Sequence, residues 1–511
     1  MTQLNQRYLY YLSFLEGGAV MACELVGAKM LAPYFGTSLY VWAAALGLTL
    51  GGLMSGYFWG GIISKKRPNQ PEVLYVIMMM AACFLCLMPL SSAWIMPLVI
   101  QLPLQWGALL SLLVFMFPPL VFMGMVSPMI IHLLTQKAEA AGNRAGNVYA
   151  ISTLGGIIAT FLMGFEFIPA YGISWPIILT GFLLGLFPLI SLIKRQKILG
   201  FALLSLLLLL GLLSRPKDEV LQGQKTIFHS EGIMGQLKVI DLPLSDGNRM
   251  GRGLVVNNTL QTVIDPKDPT FTYWPYTDYV PYMASVYPAG KQALLLGLGG
   301  GTLFRRLEAL GFELEAVEID QRIRDLSIEY FQVNPEANII VDDARHYIRV
   351  APHLYDLIVY DVFKGESAPE HVITVQSMQE TRALLKPQAL LMLNFYGYIK
   401  GELGRLSRSV IKTLKYSGWN CELYATPGQA DHRNIIVAAW PDTASNPLEW
   451  LETYNSRHKV DLQIRPIPMP DLEDAIILRD EKPQPQLFAK AAMQWRRLYN
   501  NYFIHLNEPA K

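Results

Sequence analysis

Before Arg215 the sequence passes through seven apolar segments, near 8–32, 38–62, 72–94, 106–134, 147–170, 174–193 and 197–214. A helix needs about 20 such residues to cross the hydrocarbon core of a bilayer, where every backbone polar group must be bonded within the protein. Residues 1–214 are therefore expected to form a polytopic α-helical membrane domain. After Arg215 the composition is that of an ordinary soluble domain, so the chain-wide 52% hydrophobic and 16% charged content averages two unlike halves. A net charge of +1 gives no reason to expect nucleic acid as a partner.

The loops carrying Lys65-Lys66-Arg67, Lys137 with Arg144, and Lys194-Arg195 with Lys197 are basic, and the positive-inside rule assigns them to the cytoplasm. Seven spans with the amino terminus inside would place the remainder of the chain outside. Its chemistry, argued below, uses a cytosolic co-substrate, which requires either a re-entrant segment or a further crossing within 72–134, broken at Pro103 or at Pro118-Pro119. The expectation is thus a multi-pass protein of the cell (inner) membrane with a cytoplasmic catalytic domain and the lipid bilayer as a partner. Glu16, Glu24 and Lys29 in the first span, and Glu166 in the fifth, read either as a path for a cation or as an internal Glu–Lys pair with snorkelling at the interface. Gly51-Gly52 and Gly155-Gly156 suit close helix packing. No cleavable signal peptide is evident at the amino terminus. The four cysteines, Cys23, Cys83, Cys86 and Cys421, make neither a disulfide framework nor a zinc set, and no histidine spacing resembles a metal site.

From Leu294 onward short apolar runs alternate with amphipathic stretches: ALLLGLG, GTLFRRLEAL, LEAVEID, RIRDLSIEYF, NIIV, YDLIVYD, QETRALL and ALLMLNF. That alternation predicts a doubly wound parallel sheet of Rossmann-like type, whose ligands bind beyond the carboxyl ends of the strands. The loop after the first strand carries Gly297, Gly299, Gly300 and Gly301, and glycines there let backbone approach a ligand closely. The second strand ends at Glu318, placed to accept hydrogen bonds from a ribose diol. The third ends at Asp342-Asp343, where an acid can accept from an adenine amino group. The fourth delivers Asp361.

With those four loops, and with MGQLKVID, LVVNNTLQTV and YTDYVPYM upstream, the segment 225–440 resembles the spermidine synthases, more closely a membrane-fused branch of that aminopropyltransferase family. The resemblance implies a small β-subdomain at 215–290, a class I methyltransferase-type domain at 291–440 and a carboxy-terminal extension at 441–511. It also implies decarboxylated S-adenosylmethionine as co-substrate, an amine such as putrescine as acceptor, methylthioadenosine as product, and a homodimer as an option. Residue by residue, Gln236, Gly297, Gly299, Gly301, Glu318 and Asp343 match cofactor-binding positions. Gln261, Tyr276 and Asp278 match the substrate side, where Glu366 can add a charge, and Asp361 matches the catalytic acid heading the D-x-x-D signature. An amine with a pKa near ~10 is mostly protonated at neutral pH, so a carboxylate that binds it and takes its proton raises the reactive fraction.

The sequence departs from this pattern twice. Gly300 stands where the family's glycine loop carries an aspartate that pairs with the aminopropyl ammonium, and Lys364 replaces the second acid of D-x-x-D. A lysine opposite a diamine's distal ammonium is electrostatically unfavourable. These departures permit one alternative, an S-adenosylmethionine-dependent methyltransferase acting on an amine or a membrane-borne acceptor; a second, from another class, is a polyamine transporter or sensor with a nucleoside-binding domain. Asp361 speaks against the second, because binding alone needs no base. His371 follows Pro369-Glu370 in the loop after Asp361 and either lines the pocket or orders that loop.

Overall fold

The computed structural model describes residues 6–494 except 37–38, 69, 136–140, 215–223, 233, 245–248, 269–270, 272, 287–289, 363–368, 429–432, 447, 449–463, 485 and 489–492. Two compact units divide the chain: residues 1–219 with 230–236, and residues 220–229 with 237–511.

Among the described residues of the first unit six helices are long and apolar enough to cross a membrane: Gln6–Phe35, Leu39–Lys66, Pro71–Val99, Phe117–Leu134, Ala141–Tyr171 and Ser174–Arg195. Two shorter apolar helices, Leu104–Phe115 and Lys197–Leu213, accompany them. The apolar stretch 106–134 is therefore not one rod. It breaks at Met116, where Pro118 and Pro119 occupy the first turn of the next helix and withhold their N–H groups, and again at Met125. Small residues set the crossings. A Cβ at Gly17 would collide with the Ser152 carbonyl, one at Gly155 with the Phe14 carbonyl, and one at Gly52 would lie 2.7 Å from Leu120 Cβ. Glu16 is buried at 2% exposure and accepts from Ser152 Oγ at 3.0 Å and Ser127 Oγ at 3.5 Å, while Lys29 lies over the Trp42 ring at 5.8 Å. Glu231, in the 230–236 segment, accepts from the amides of Ile173 and Ser174 at 2.9 and 3.0 Å, satisfying donors that open the Ser174–Arg195 helix.

The second unit contains two sheets, apart from the end of β1 and the start of β2, which fall in the 230–236 segment. Strands β1 (Lys225–Gly232), β2 (Gly235–Pro243), β3 (Met250–Val256) and β4 (Thr259–Ile264) make a four-stranded sheet in sequence order. Asn257 and Asn258, both at positive φ, turn β3 into β4. The larger sheet comprises β5 (Gln292–Leu296), β6 (Glu313–Glu318), β7 (Ile339–Val341), β8 (Tyr355–Tyr360), β9 (Leu385–Tyr396), β10 (Trp419–Ala425), β11 (Asn434–Pro441) and β12 (Pro466–Ile467). Its order is β12-β10-β11-β9-β8-β5-β6-β7. Strands β5 to β9 run parallel, and the β10–β12 end is antiparallel.

Strands β5 and β8 read as continuous apolar runs because both faces are covered; Leu294–Leu296 and Leu357–Tyr360 are fully buried. Helices α1 (Tyr276–Val286), α2 (Thr302–Ala309), α3 (Gln321–Phe331), α4 (Ala344–Val350), α5 (Val375–Ala383) and α6 (Arg405–Tyr416) accompany the strands. Along β5 the chain winds one way, to β6 and β7, and β8 returns to its other side. That reversal makes the carboxyl ends of β5 and β8 the switch point where a doubly wound sheet opens a crevice.

Candidate active site

A cavity opens at that switch point. Its walls come from β4 (Leu260–Val263), the segment leading into α1 (Tyr273, Trp274, Tyr276, Thr277), the glycine loop and α2 (Leu298, Gly299, Thr302, Leu303), and Asp361, Asn394, Phe395 and Asn434. The glycine loop has the geometry its composition predicts at two decisive points. Gly297 has φ +89°, and a Cβ there would collide with the Asp361 carbonyl, so only glycine lets the two strand ends close on each other. Gly301, at φ +72°, turns the chain into α2.

Asp361 follows β8 directly, its amide donating to the Leu296 carbonyl at 2.8 Å. Tyr276 donates its hydroxyl to Oδ2 at 3.2 Å, and the Asn394 side-chain amide donates to Oδ1 at 2.8 Å. Asn394 accepts in turn from Asn434 Nδ2 at 3.0 Å. Burial raises the Asp361 pKa from 3.8 to about 6 against the two donated hydrogen bonds, which hold it down. The result is a partly buried carboxyl, oriented at both oxygens, that titrates just below neutrality.

Glu318 is 6% exposed, and its oxygens accept from Leu298 N at 3.2 Å and Asp320 N at 3.0 Å. It ties the glycine loop to the end of β6, and each oxygen keeps a lone pair for a further donor. Asp343 caps α4, accepting from the amides of Arg345 and His346 at 2.9 and 3.1 Å, and its other oxygen meets His371 Nε2 at 3.1 Å. Burial pushes its pKa up, but those amides and His371 outweigh it and hold the carboxyl below its ordinary value. Arg345, 4% exposed, braces this corner through Glu380, Asp480 and the His371 carbonyl. His371 thus holds Asp343 and is not among the residues that line the switch-point cavity.

The structure brings Gln261, Tyr276, Gly299 and Asp361 together on one cavity. Asp278 instead turns to Arg306 on α2, forming an ion pair, and is not among the lining residues. Gln236 is half-buried on β2. Glu366 and Lys364 lie outside the described residues. Sequence reasoning missed Asn394 and Asn434, whose only signals are polar residues ending β9 and opening β11. It also missed Thr262, whose Oγ accepts from Gly300 N at 3.0 Å.

No family model matches the chain. Among curated proteins, the N-terminal histidine N-methyltransferase of Emericella nidulans is 30% identical over 220 residues, covering 40% of this chain and 39% of that protein. The polyamine aminopropyltransferase of Vibrio vulnificus is 31% identical over 187 residues, 35% of this chain and 62% of that protein. The chain thus spans less than two thirds of the length of either. Among solved structures, a probable spermidine synthase from Corynebacterium glutamicum superimposes with a TM-score of 0.39 at 18% identity, over 51% of this chain and 97% of that one. The polyamine aminopropyltransferases of Hamiltonella defensa and Thermoplasma volcanium match at 28% and 26% identity, over 29% and 28% of this chain. Over the matched part, then, the chain is similar to proteins named polyamine aminopropyltransferase and to an N-methyltransferase.

Proposed function

We propose that the second unit transfers an alkyl group from an adenosyl-sulfonium co-substrate to an amine nitrogen, and that the group is aminopropyl, from decarboxylated S-adenosylmethionine to an amine such as putrescine. The observation that carries this reading is the Asp361 carboxyl, held at both oxygens by Tyr276 and Asn394 in the switch-point cavity. The glycine loop, Glu318 and Asp343 would hold the adenosyl group. When bound, the sulfonium supplies an electrophilic carbon. Asp361 binds the incoming ammonium and takes its proton, which frees the nitrogen lone pair for in-line attack on that carbon; the carbon–sulfur bond breaks with its electron pair going to sulfur, releasing methylthioadenosine. A base titrating near 6 is ionised at neutral pH yet still accepts a proton in the transition state. Tyr273, Trp274, Tyr276 and Phe395 provide aromatic walls on which an ammonium is favourable. The six long apolar helices of the first unit support a multi-pass membrane location.

A second reading, methyl transfer from S-adenosylmethionine to an amine, is favoured by one specific observation. A Cβ at position 300 would lie 2.6 Å from Thr262 Cγ2, so this loop has no room for an acid facing an aminopropyl ammonium. The similarity to an N-methyltransferase agrees with it. The test is to incubate the purified full-length protein with each sulfonium donor separately and a panel of amines, then identify the nucleoside by mass spectrometry. Methylthioadenosine supports aminopropyl transfer and S-adenosylhomocysteine supports methylation. No nucleoside product from either donor refutes both and leaves a binding role.

A further inference from the structure

The corner that holds Asp343 is fastened by a distant part of the chain. Asp343 meets His371, which lies in a single 3-10 turn, Glu370–Val372, between the loop after β8 and α5. So short a turn is held mainly by what it packs against. Three hydrogen bonds reach this turn and the start of α5 from residues 478–484. The Gln484 amide donates to the Glu370 carboxylate across 114 positions of sequence, and the Thr374 hydroxyl donates to Asp480 Oδ1 at 2.6 Å across 106. The Val375 amide donates to the Leu478 carbonyl at 2.9 Å.

Asp480 is the node of this arrangement. Its Oδ2 pairs with Arg345 Nη2 at 3.1 Å, and Arg345 also donates to the His371 carbonyl and, at 3.1 Å, to Thr374 Oγ1. The Arg345 side chain is buried, so its charge relies on Glu380 and Asp480 for compensation. Removing Asp480 would leave a buried guanidinium short of an anion beside the turn that carries His371.

Residues 472–484 are firmly seated themselves. Apart from an isolated bridge between Arg479 and Lys482 they form no strand or helix, and α6 meets their polar groups. Leu478 N donates to Thr413 Oγ1 at 2.9 Å, Lys412 donates to the Leu472 and Ala475 carbonyls at 3.1 and 2.7 Å, and Arg408 Nε donates to Asp474 at 2.8 Å. Leu478, 1% exposed, joins the same core as Val372, Ile373 and Met378.

We propose that residues 472–484 are a strap that sets the adenosyl end of the donor site, with Asp480 as its positioning residue. The strap ties α6 to the 3-10 turn, and Asp480 fixes that turn where His371 meets Asp343. This rests on the reading of Asp343 as the acid at the adenosyl end. It brings into the donor site a segment none of whose residues lines the switch-point cavity.

The test uses the full-length protein in detergent, with methylthioadenosine calorimetry, thermal unfolding and donor kinetics. Asp480→Ala should weaken methylthioadenosine about five- to tenfold at unchanged stoichiometry and raise the donor KM by a similar factor, with kcat within about twofold. Asp480→Asn is close to isosteric, removes the charge facing Arg345 and carries the test if the alanine variant does not fold; it should weaken binding about threefold or more. Asp474→Asn weakens the pair with Arg408 but keeps an acceptor there, so it should lower Tm and leave Kd within about twofold. An unmoved Kd in a folded Asp480 variant overturns the proposal, and so does an equal weakening by Asp474→Asn, which would mark the effect as general destabilisation. Failure of the underlying reading looks different: the wild-type protein would not bind methylthioadenosine at all.

Discussion

Replacing Asp361 by asparagine should make the protein inactive and, above neutral pH, more stable. The carboxyl has its pKa raised from 3.8 to about 6 in the fold, so the folded state holds its proton more tightly than the unfolded chain does. Stability must therefore fall as pH rises from about 4 through 6, the opposite of an ion-paired carboxylate. With these two values the linkage relation gives a penalty of under about 1 kcal/mol at pH 4, growing to about 3 kcal/mol at pH 8. Asparagine is close to isosteric, keeps a carbonyl to accept from Asn394 or Tyr276, and does not titrate. The variant should gain the pH-dependent part, about 2 kcal/mol between pH 4 and pH 8, which for a unit of this size corresponds to a Tm increase of about 5 °C. Thermal unfolding of both proteins in the same detergent at the two pH values measures the double difference, which cancels any constant effect of the substitution. An equal Tm difference at pH 4 and pH 8, or a variant that loses ground at pH 8, would refute the buried-carboxyl argument. Turnover should vanish while methylthioadenosine affinity stays within about tenfold, or ~1.4 kcal/mol, because on the proposed reading the side chain serves the amine and not the nucleoside. Undiminished turnover would remove Asp361 as the base.

Asn394→Leu removes a hydrogen bond that holds the Asp361 pKa down, so the acid limb of kcat/KM, placed near pH 6 in wild type, should move to higher pH; an unmoved limb in the pH–rate profile would exclude the pairing from function. Glu318→Gln should weaken methylthioadenosine binding by about 1.5–3 kcal/mol, the range for bonds to a charged acceptor, and calorimetry with an unchanged Kd would move the ribose contact elsewhere. Lys364→Asp restores D-x-x-D. Two like charges about 4 Å apart at an effective dielectric of about 20 repel by up to about 4 kcal/mol, so putrescine turnover should rise; equal putrescine kinetics, with circular dichroism unchanged, would show that Lys364 does not set acceptor choice.

What the sequence discloses and what it hides divide along a physical line. The apolar runs of β5 and β8 and the glycines between β5 and α2 are legible because covered strands and tight turns admit few residue types. Gly297 is the clearest instance, since the atom it avoids is the backbone carbonyl of Asp361, 64 residues further along the chain. Asn394, Asn434 and Thr262 are illegible for the converse reason. Each is an ordinary polar residue in a strand, and its meaning lies in a partner that only the strand order supplies: β9 beside β8 brings Asn394 to Asp361, β11 beside β9 brings Asn434 to Asn394, and Thr262 on the small sheet meets Gly300. The same logic accounts for Asp278, whose place two residues after Tyr276 reads as a second substrate acid. Successive positions on a helix point about 100° apart, so when Tyr276 faces Asp361, Asp278 faces away, and it meets Arg306 on α2. The departure at Gly300 likewise acquires a cause beyond the loss of an acid. With Thr262 packed against position 300, regaining an aspartate there would first require a smaller residue at 262, so the two positions must change together. A Gly300→Asp substitution alone strains the loop, and only paired with Thr262→Gly does it test what the acid does for an aminopropyl donor.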